Sequence, residues 1–302
     1  MKTTFPTLGL ALLLTLLTAC MVDQEPAENV TKLDVRDNRP ASVTPPAPQP
    51  PTEQIITAGV PAGYKMVWHD EFDGGPLPDP AKWGYQKGGY GWMAKELQNY
   101  QEADPENVRV ADGILTITAK KEKLDRGNYS STRLVTNDLV ELGFGYYEIR
   151  AKFPAGDGLR SSFWMVDGDI AKKGWPMAGE IDLVEHYGRV PNVVGAAVQT
   201  DNNSYAKGNQ LGGTRELPTA TSEFHVYSCL WTNRRLEFAV DGEVYWTYAP
   251  KAEDGLKAFP FVSKSYLAAT LAVGGQRGPQ GPVDDSVFPA SLEIDYVRVY
   301  QP

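Results

Sequence analysis

The segment Glu180-Ile181-Asp182-Leu183-Val184-Glu185 sets three carboxylates into an otherwise apolar run. Like charges this close repel, and each carboxylate is better solvated by water than by a protein interior. A strand that served only for packing would not hold three of them. A site that needs an acid, a nucleophile and a group to tune them would. Side chains alternate along a strand, so Glu180 and Asp182 face one way and Glu185, an odd step from both, faces the other. One extra residue at Leu183 or Val184, a β-bulge, returns Glu185 to the carboxylate face, and bulges beside active sites re-aim side chains in this way. In that form Glu180 reads as the nucleophile of a retaining glycosidase, Glu185 as its acid/base, and Asp182 as the hydrogen-bonding partner of Glu180. The spacing alone equally fits an acidic, solvent-facing edge strand.

Outward from this segment the chain reads as short strands. Residues 145–153 alternate, with Tyr147, Ile149, Ala151 and Phe153 on one face and Tyr146, Glu148, Arg150 and Lys152 on the other. Asp112-Gly113 ahead of Ile114-Leu115-Thr116-Ile117-Thr118 marks a turn and a strand. Residues 236–240, Asp241-Gly242 and residues 243–246 mark a hairpin, and residues 292–300 a last strand. No long amphipathic helix pattern is present. The fold class is therefore all-β, a sandwich or barrel.

The wider run Trp175-Pro176-Met177-Ala178-Gly179-Glu180-Ile181-Asp182-Leu183-Val184-Glu185-His186 resembles glycoside hydrolase family 16, most closely its bacterial laminarinase-like (endo-β-1,3-glucanase) branch. Two residues between Asp182 and Glu185 give the bulged form of that motif. Further stretches follow the pattern in order: Val67-Trp68-His69-Asp70-Glu71-Phe72-Asp73-Gly74, Glu96-Leu97-Gln98-Asn99-Tyr100, Phe163-Trp164-Met165, Leu271-Ala272-Val273-Gly274-Gly275 and Asp295-Tyr296-Val297-Arg298-Val299-Tyr300. The resemblance covers residues 64–301. It implies a β-jelly-roll sandwich with an open concave cleft, in which residues 68–72 and 294–300 lie near each other. It also implies a polysaccharide substrate, with Trp164 and Trp175 lining the cleavage point and Glu96 and Asn99 bonding sugar hydroxyls. No cofactor is implied for catalysis. One structural Ca²⁺ on the convex face is implied, at positions matching Glu71, Gly113 (through its backbone oxygen) and Asp295; oxygen ligands suit such a hard cation. His186 is expected to be a packed histidine.

The chain departs from the family pattern at the cleft. Arg160 and Arg277 stand where laminarinases carry Trp, Gln199 where they often carry His, and Thr270 where they carry Asn. Two guanidiniums in place of two stacking rings suit charge pairing, so a decorated or sulfated galactan is the alternative substrate to β-1,3-glucan. A non-catalytic β-glucan-binding protein is a second alternative, and the intact carboxylates speak against it. Transglycosylation is a third.

The 302 residues suffice for one large domain, residues 64–302, with extensions. Residues 1–19 read as a signal peptide: Lys2, then an apolar run over residues 8–17 too short for a membrane span. The run ends in Leu17-Thr18-Ala19-Cys20, which resembles a bacterial lipobox and makes Cys20 the expected lipidation site; an ordinary secretory peptide is the alternative. Residues 20–63 are polar and proline-rich and read as an extended tether. The expected location is therefore the bacterial cell envelope, lipid-anchored at the outer membrane or cell surface. With Cys20 lipidated, Cys229 has no partner and is expected to be a buried core residue. The net charge of −9, with no basic tract, excludes nucleic acid as a partner. A monomer is expected.

Overall fold

The fold is described from a computed structural model that covers residues 59–93, 95–275 and 281–302. The signal sequence, Cys20, most of the tether and Arg277 lie outside these described residues. Both Asp-Gly pairs form the expected tight turns. Asp112 and Gly113 adopt φ of 54° and 74° and join the antiparallel strands Val108–Ala111 and Ile114–Lys121. Asp241 and Gly242, at φ of 49° and 80°, join Leu236–Val240 to Glu243–Tyr248. Two central residues at positive φ match the right-handed twist of the strands they connect.

The strands build two open sheets, one of ten strands and one of seven. In the larger sheet the long final strand Ala290–Gln301 pairs with Gly145–Lys152 along one edge, and with Ile114–Lys121 and Lys65–Asp70 along the other. The two ends of the domain thus close on each other, with Trp68 opposite Val299. The smaller sheet runs in the order Leu211–Glu216, Val193–Gln199, Glu180–Tyr187, Leu159–Asp167, Ser265–Val273, Arg133–Val135, Gly84–Tyr85. The two sheets stack as an open β-jelly-roll sandwich. Among the described residues, helices are confined to single turns, such as Ile170–Lys173 and Gly255–Ala258.

The core lies between the sheets. Tyr147, Ile149, Ala151 and Phe153 are buried in it, as the alternation of that strand requires, together with Leu115, Trp231 and Phe238. The smaller sheet contributes Phe163, Met165, Ile181, Leu183, Val184 and Leu271. Each such side chain, fully buried, contributes about 1.5–3 kcal/mol. Cys229 is among them; burial pushes its thiol well above the usual range. The smaller sheet therefore has its inner face fully committed, and whatever points from its outer face is free for another task.

Candidate active site

The strand Glu180–Tyr187 carries the bulge that the spacing requires. Against one neighbour, Asp182 lies opposite Trp164 but Val184 opposite Phe163, so Leu183 is the extra residue. Against the other, Asp182 lies opposite Ala197 and Glu185 opposite Gly195, a shift of the same size. Leu183 and Val184 consequently both enter the core, and Glu185 returns to the outer face with Glu180 and Asp182. Gly179, at φ 80°, leads into this strand where a Cβ would lie 2.6 Å from Pro260 Cγ, so only glycine fits.

Pairing across the sheet fixes what surrounds each carboxylate. One cross-strand row reads Gln199, Glu180, Val166, Tyr266; the next reads Ala197, Asp182, Trp164, Ala268; a third reads Gly195, Glu185, Ser162, Thr270, Arg133. Glu180 Oε2 accepts the Trp175 Nε1–H at 2.9 Å. Asp182 Oδ2 accepts from Gln199 Nε2 at 3.3 Å, and Gln199 is oriented by the Tyr205 backbone N–H, 2.8 Å from its Oε1. Glu185 Oε1 accepts from Arg160 Nη1 at 3.0 Å and from the Tyr187 hydroxyl at 3.4 Å. Trp164 lies half-buried beside Asp182, its Nε1–H donating to Thr270 Oγ1 at 3.1 Å.

Electrostatics separates the neighbouring carboxyls. Burial raises Glu180, opposed by hydrogen bonds from Asp182 and Trp175. Burial raises Asp182 well above the usual carboxyl range, and the nearby charges of Glu180 and Glu185 push it further. Of this buried pair Asp182 is thus the member that keeps a proton, which it donates to Glu180. Burial alone would make Arg160 easier to deprotonate, but Glu96 and Glu185 overcompensate and hold it charged. His186 points into the core, stacked on Phe153 with ring centroids 4.9 Å apart, and burial lowers it to about 4.

Most of the expected site residues converge, and some do not. Trp175, Gln199, Arg160 and Glu96 join the carboxylate network, and Trp164 lies opposite Asp182 on the neighbouring strand. Asn99 alternates away from the buried Gln98 and Tyr100 and lines a shallow pocket with Gln101 and Lys123; no hydrogen bond among the described residues ties it to Glu96. Arg160 is near the acid rather than open to an anionic sugar: Nη2 bonds Glu96 Oε1 at 2.9 Å while Nη1 holds Glu185. The calcium positions do not fit a cation through their side chains. Both Glu71 carboxylate oxygens accept from Arg298, at 2.9 and 2.7 Å, and Asp295 pairs with Arg150. A hard cation needs oxygens free of competing cations, and no cluster of three metal-binding side chains occurs among the described residues. Gly113 does approach the main-chain oxygen of Glu71, which would lie 4.0 Å from a Cβ there.

Three residues of the site escaped the sequence reading. Tyr187 lies two positions from Glu185 in the same strand, so alternation alone puts it on that face, and Gln98 follows Glu96 by two positions just inside the next strand. Arg133 is nearly fully buried, with its guanidinium 4.7 Å from the Tyr100 ring, 5.4 Å from Trp164 and 5.7 Å from Trp92. Its signal was a lone charge ahead of Leu134-Val135.

Comparison with known proteins agrees with this geometry. The β-glucanase of Rhodothermus marinus is 41% identical over 245 residues, covering 79% of this chain and 85% of that protein. Glucan endo-1,3-β-glucosidase A1 of Niallia circulans is 33% identical over 285 residues, covering 85% of this chain and 41% of that larger protein. The crystal structure of the laminarinase from Rhodothermus marinus superposes with a TM-score of 0.76 at 41% identity, over 79% of this chain and 97% of that one. The model of glycosyl hydrolases family 16 matches residues 96–298, and the chain belongs to that family.

Proposed function

We propose that this chain hydrolyses internal β-1,3 linkages of a laminarin-type glucan, with retention, through Glu180 and Glu185. The single observation that carries the assignment of roles is the bulge at Leu183. It brings Glu185 to the face of Glu180 and leaves the two carboxylates with opposite partners. Glu180 receives a hydrogen bond from Trp175 and has a proton-bearing neighbour in Asp182, which aim its oxygen and oppose the rise that burial imposes. That is the state of a nucleophile, and it attacks the anomeric carbon. Glu185 protonates the departing glycosidic oxygen, then draws a proton from the water that releases the glycosyl-enzyme. Trp175 and Trp164 stand beside Glu180 and Asp182 and supply aromatic surface for the sugar.

The names of the relatives support β-1,3-glucan as substrate. The sulfated-galactan reading loses one of its two supports, because the Arg160 fork is already engaged by two carboxylates. Upstream of the domain, Leu17-Thr18-Ala19-Cys20 supports a lipid anchor at Cys20, with the proline-rich residues 20–63 holding a monomeric enzyme off the envelope. The test of the function is reducing-sugar release from laminarin, mixed-linkage glucan, agarose, porphyran and carrageenans. Glu180→Gln and Glu185→Gln should each lower turnover on laminarin by about a hundredfold or more with the fold intact. Near-normal hydrolysis by either purified variant would remove the assignment.

A further inference from the structure

Arg160 leaves the cleft floor from the strand Leu159–Asp167 and reaches two carboxylates at once. Nη1 donates to Glu185 Oε1 at 3.0 Å; Nη2 donates to Glu96 Oε1 at 2.9 Å and lies 3.6 Å from Met93 Sδ. Glu96 is itself anchored. Gln98 Nε2 donates to Glu96 Oε2 at 3.0 Å, and Gln98 Oε1 accepts the Val273 backbone N–H at 2.7 Å. That second bond settles which end of the amide faces Glu96. A continuous chain thus runs from main chain through Gln98, Glu96 and Arg160 to Glu185. Tyr187 adds a second donor to Glu185 Oε1, at 3.4 Å. Among the described residues no donor reaches Glu185 Oε2.

A carboxyl oxygen already occupied by two donors is the wrong place for a proton, which goes to the other oxygen. On the reading that Glu185 is the acid/base, we infer that Arg160 is a positioning residue that clamps Oε1 and makes Oε2 the oxygen that delivers the proton. In the first step the bond from a Glu180 oxygen to the anomeric carbon forms and the bond to the leaving sugar breaks. The proton on Glu185 Oε2 passes to the departing oxygen. In the second step water adds at the anomeric carbon, the bond to Glu180 breaks, and Oε2 takes the proton from that water. Arg160 touches neither reacting atom; it fixes the carboxyl that does.

The clamp has a consequence that depends on the leaving group. A carboxyl whose proton-bearing oxygen is badly aimed fails where the departing oxygen needs a proton, and not where the leaving group departs without one. Removing Arg160 removes the clamp, and removing Glu96 removes the brace that holds Nη2 of Arg160. A merely structural pair would lower both kinds of substrate alike.

The experiment compares kcat/KM on two β-1,3-glucan oligosaccharides. One has a 2,4-dinitrophenolate leaving group, which departs without a proton; the other has a sugar leaving group. Glu185→Gln serves as reference and should lose the sugar substrate far more than the dinitrophenyl one. Arg160→Met should show the same selectivity, with a loss on the sugar substrate of about ten- to a hundredfold. Glu96→Ala, which removes the brace on Nη2, should show the same selectivity with a smaller loss, and Arg160→Lys, which keeps one cationic donor, should recover part of the activity on the sugar substrate. If Glu185→Gln loses both substrates equally, the acid/base assignment itself is wrong. If Glu185→Gln is selective while Arg160→Met is not, the role of Arg160 is overturned. Should Arg160→Met fail to fold, an equal loss of both substrates in Glu96→Ala overturns it.

Discussion

Replacing His186 by Phe should abolish a pH-dependent loss of stability of about 3 kcal/mol. His186 is fully buried, stacked on Phe153, with Nε2 3.2 Å from the Pro191 carbonyl and Nδ1 without a hydrogen-bond partner. That arrangement suits a neutral ring with its proton on Nε2, and burial accordingly lowers the folded-state value from 6.5 to about 4. The unfolded chain takes up a proton near pH 6.5 and the folded one only near pH 4. Stability is therefore complete above pH 6.5, falls as pH drops below it, and stops falling near pH 4. Each unit of displacement costs about 1.36 kcal/mol, so the loss is about 1.4 kcal/mol at pH 5.5 and about 3 kcal/mol by pH 4. Glu180 and Asp182, both raised by burial, act in the opposite direction. They are common to both proteins and cancel in the difference. The assay is urea unfolding of wild type and His186→Phe at pH 7.5, 5.5 and 4.5. A stability difference that stays constant across the three pH values would refute the buried, neutral histidine.

Trp175→Phe keeps an aromatic face but loses the 2.9 Å bond to Glu180, a charge-assisted bond of about 1.5–3 kcal/mol. kcat/KM on laminarin should fall about ten- to a hundredfold, with the acid limb moving towards neutrality because burial of Glu180 then goes less opposed; an unmoved limb would contradict this. Cys20→Ser should turn a membrane-bound protein into a soluble or unprocessed one, and a wild type found wholly in the soluble exported fraction, without acyl chains by mass spectrometry, would reject the anchor.

What was legible in the sequence was legible through local rules. Alternation over residues 145–153 gave the correct core face, and both Asp-Gly pairs gave true hairpins, because a strand face and a tight turn are set within a few residues. The bulge was legible for the same reason: Leu183-Val184 is an apolar pair interrupting an acidic alternation. What failed depends on partners distant in sequence. Arg160 read as an open fork because Glu96, 64 residues away, could not be seen reaching it. Glu71 and Asp295 read as oxygen ligands because Arg298 and Arg150 take them only when the sheet is assembled. Arg133 gathers Trp92, Tyr100 and Trp164 from three separate segments, and no short window holds that cluster.

One inserted residue links the stability and the chemistry of this domain. Were Leu183 paired in regular register instead of bulged, strict alternation would send Glu185 inward and His186 outward. Glu185 would then lie among Phe163 and Leu183 without Arg160 to meet it, and an unpaired buried carboxylate is among the costliest groups a core can hold. With the bulge, Glu185 meets two donors and His186 meets Phe153. The histidine's acid sensitivity is thus the counterpart of the acid/base's placement. Leu183 and Val184, both buried, supply the apolar contact that keeps the bulge from relaxing into regular pairing. Glu180 and Asp182 precede the bulge and need no such help, which is why the Trp175 and Gln199 bonds attach to that half of the strand and the Arg160 clamp to the other.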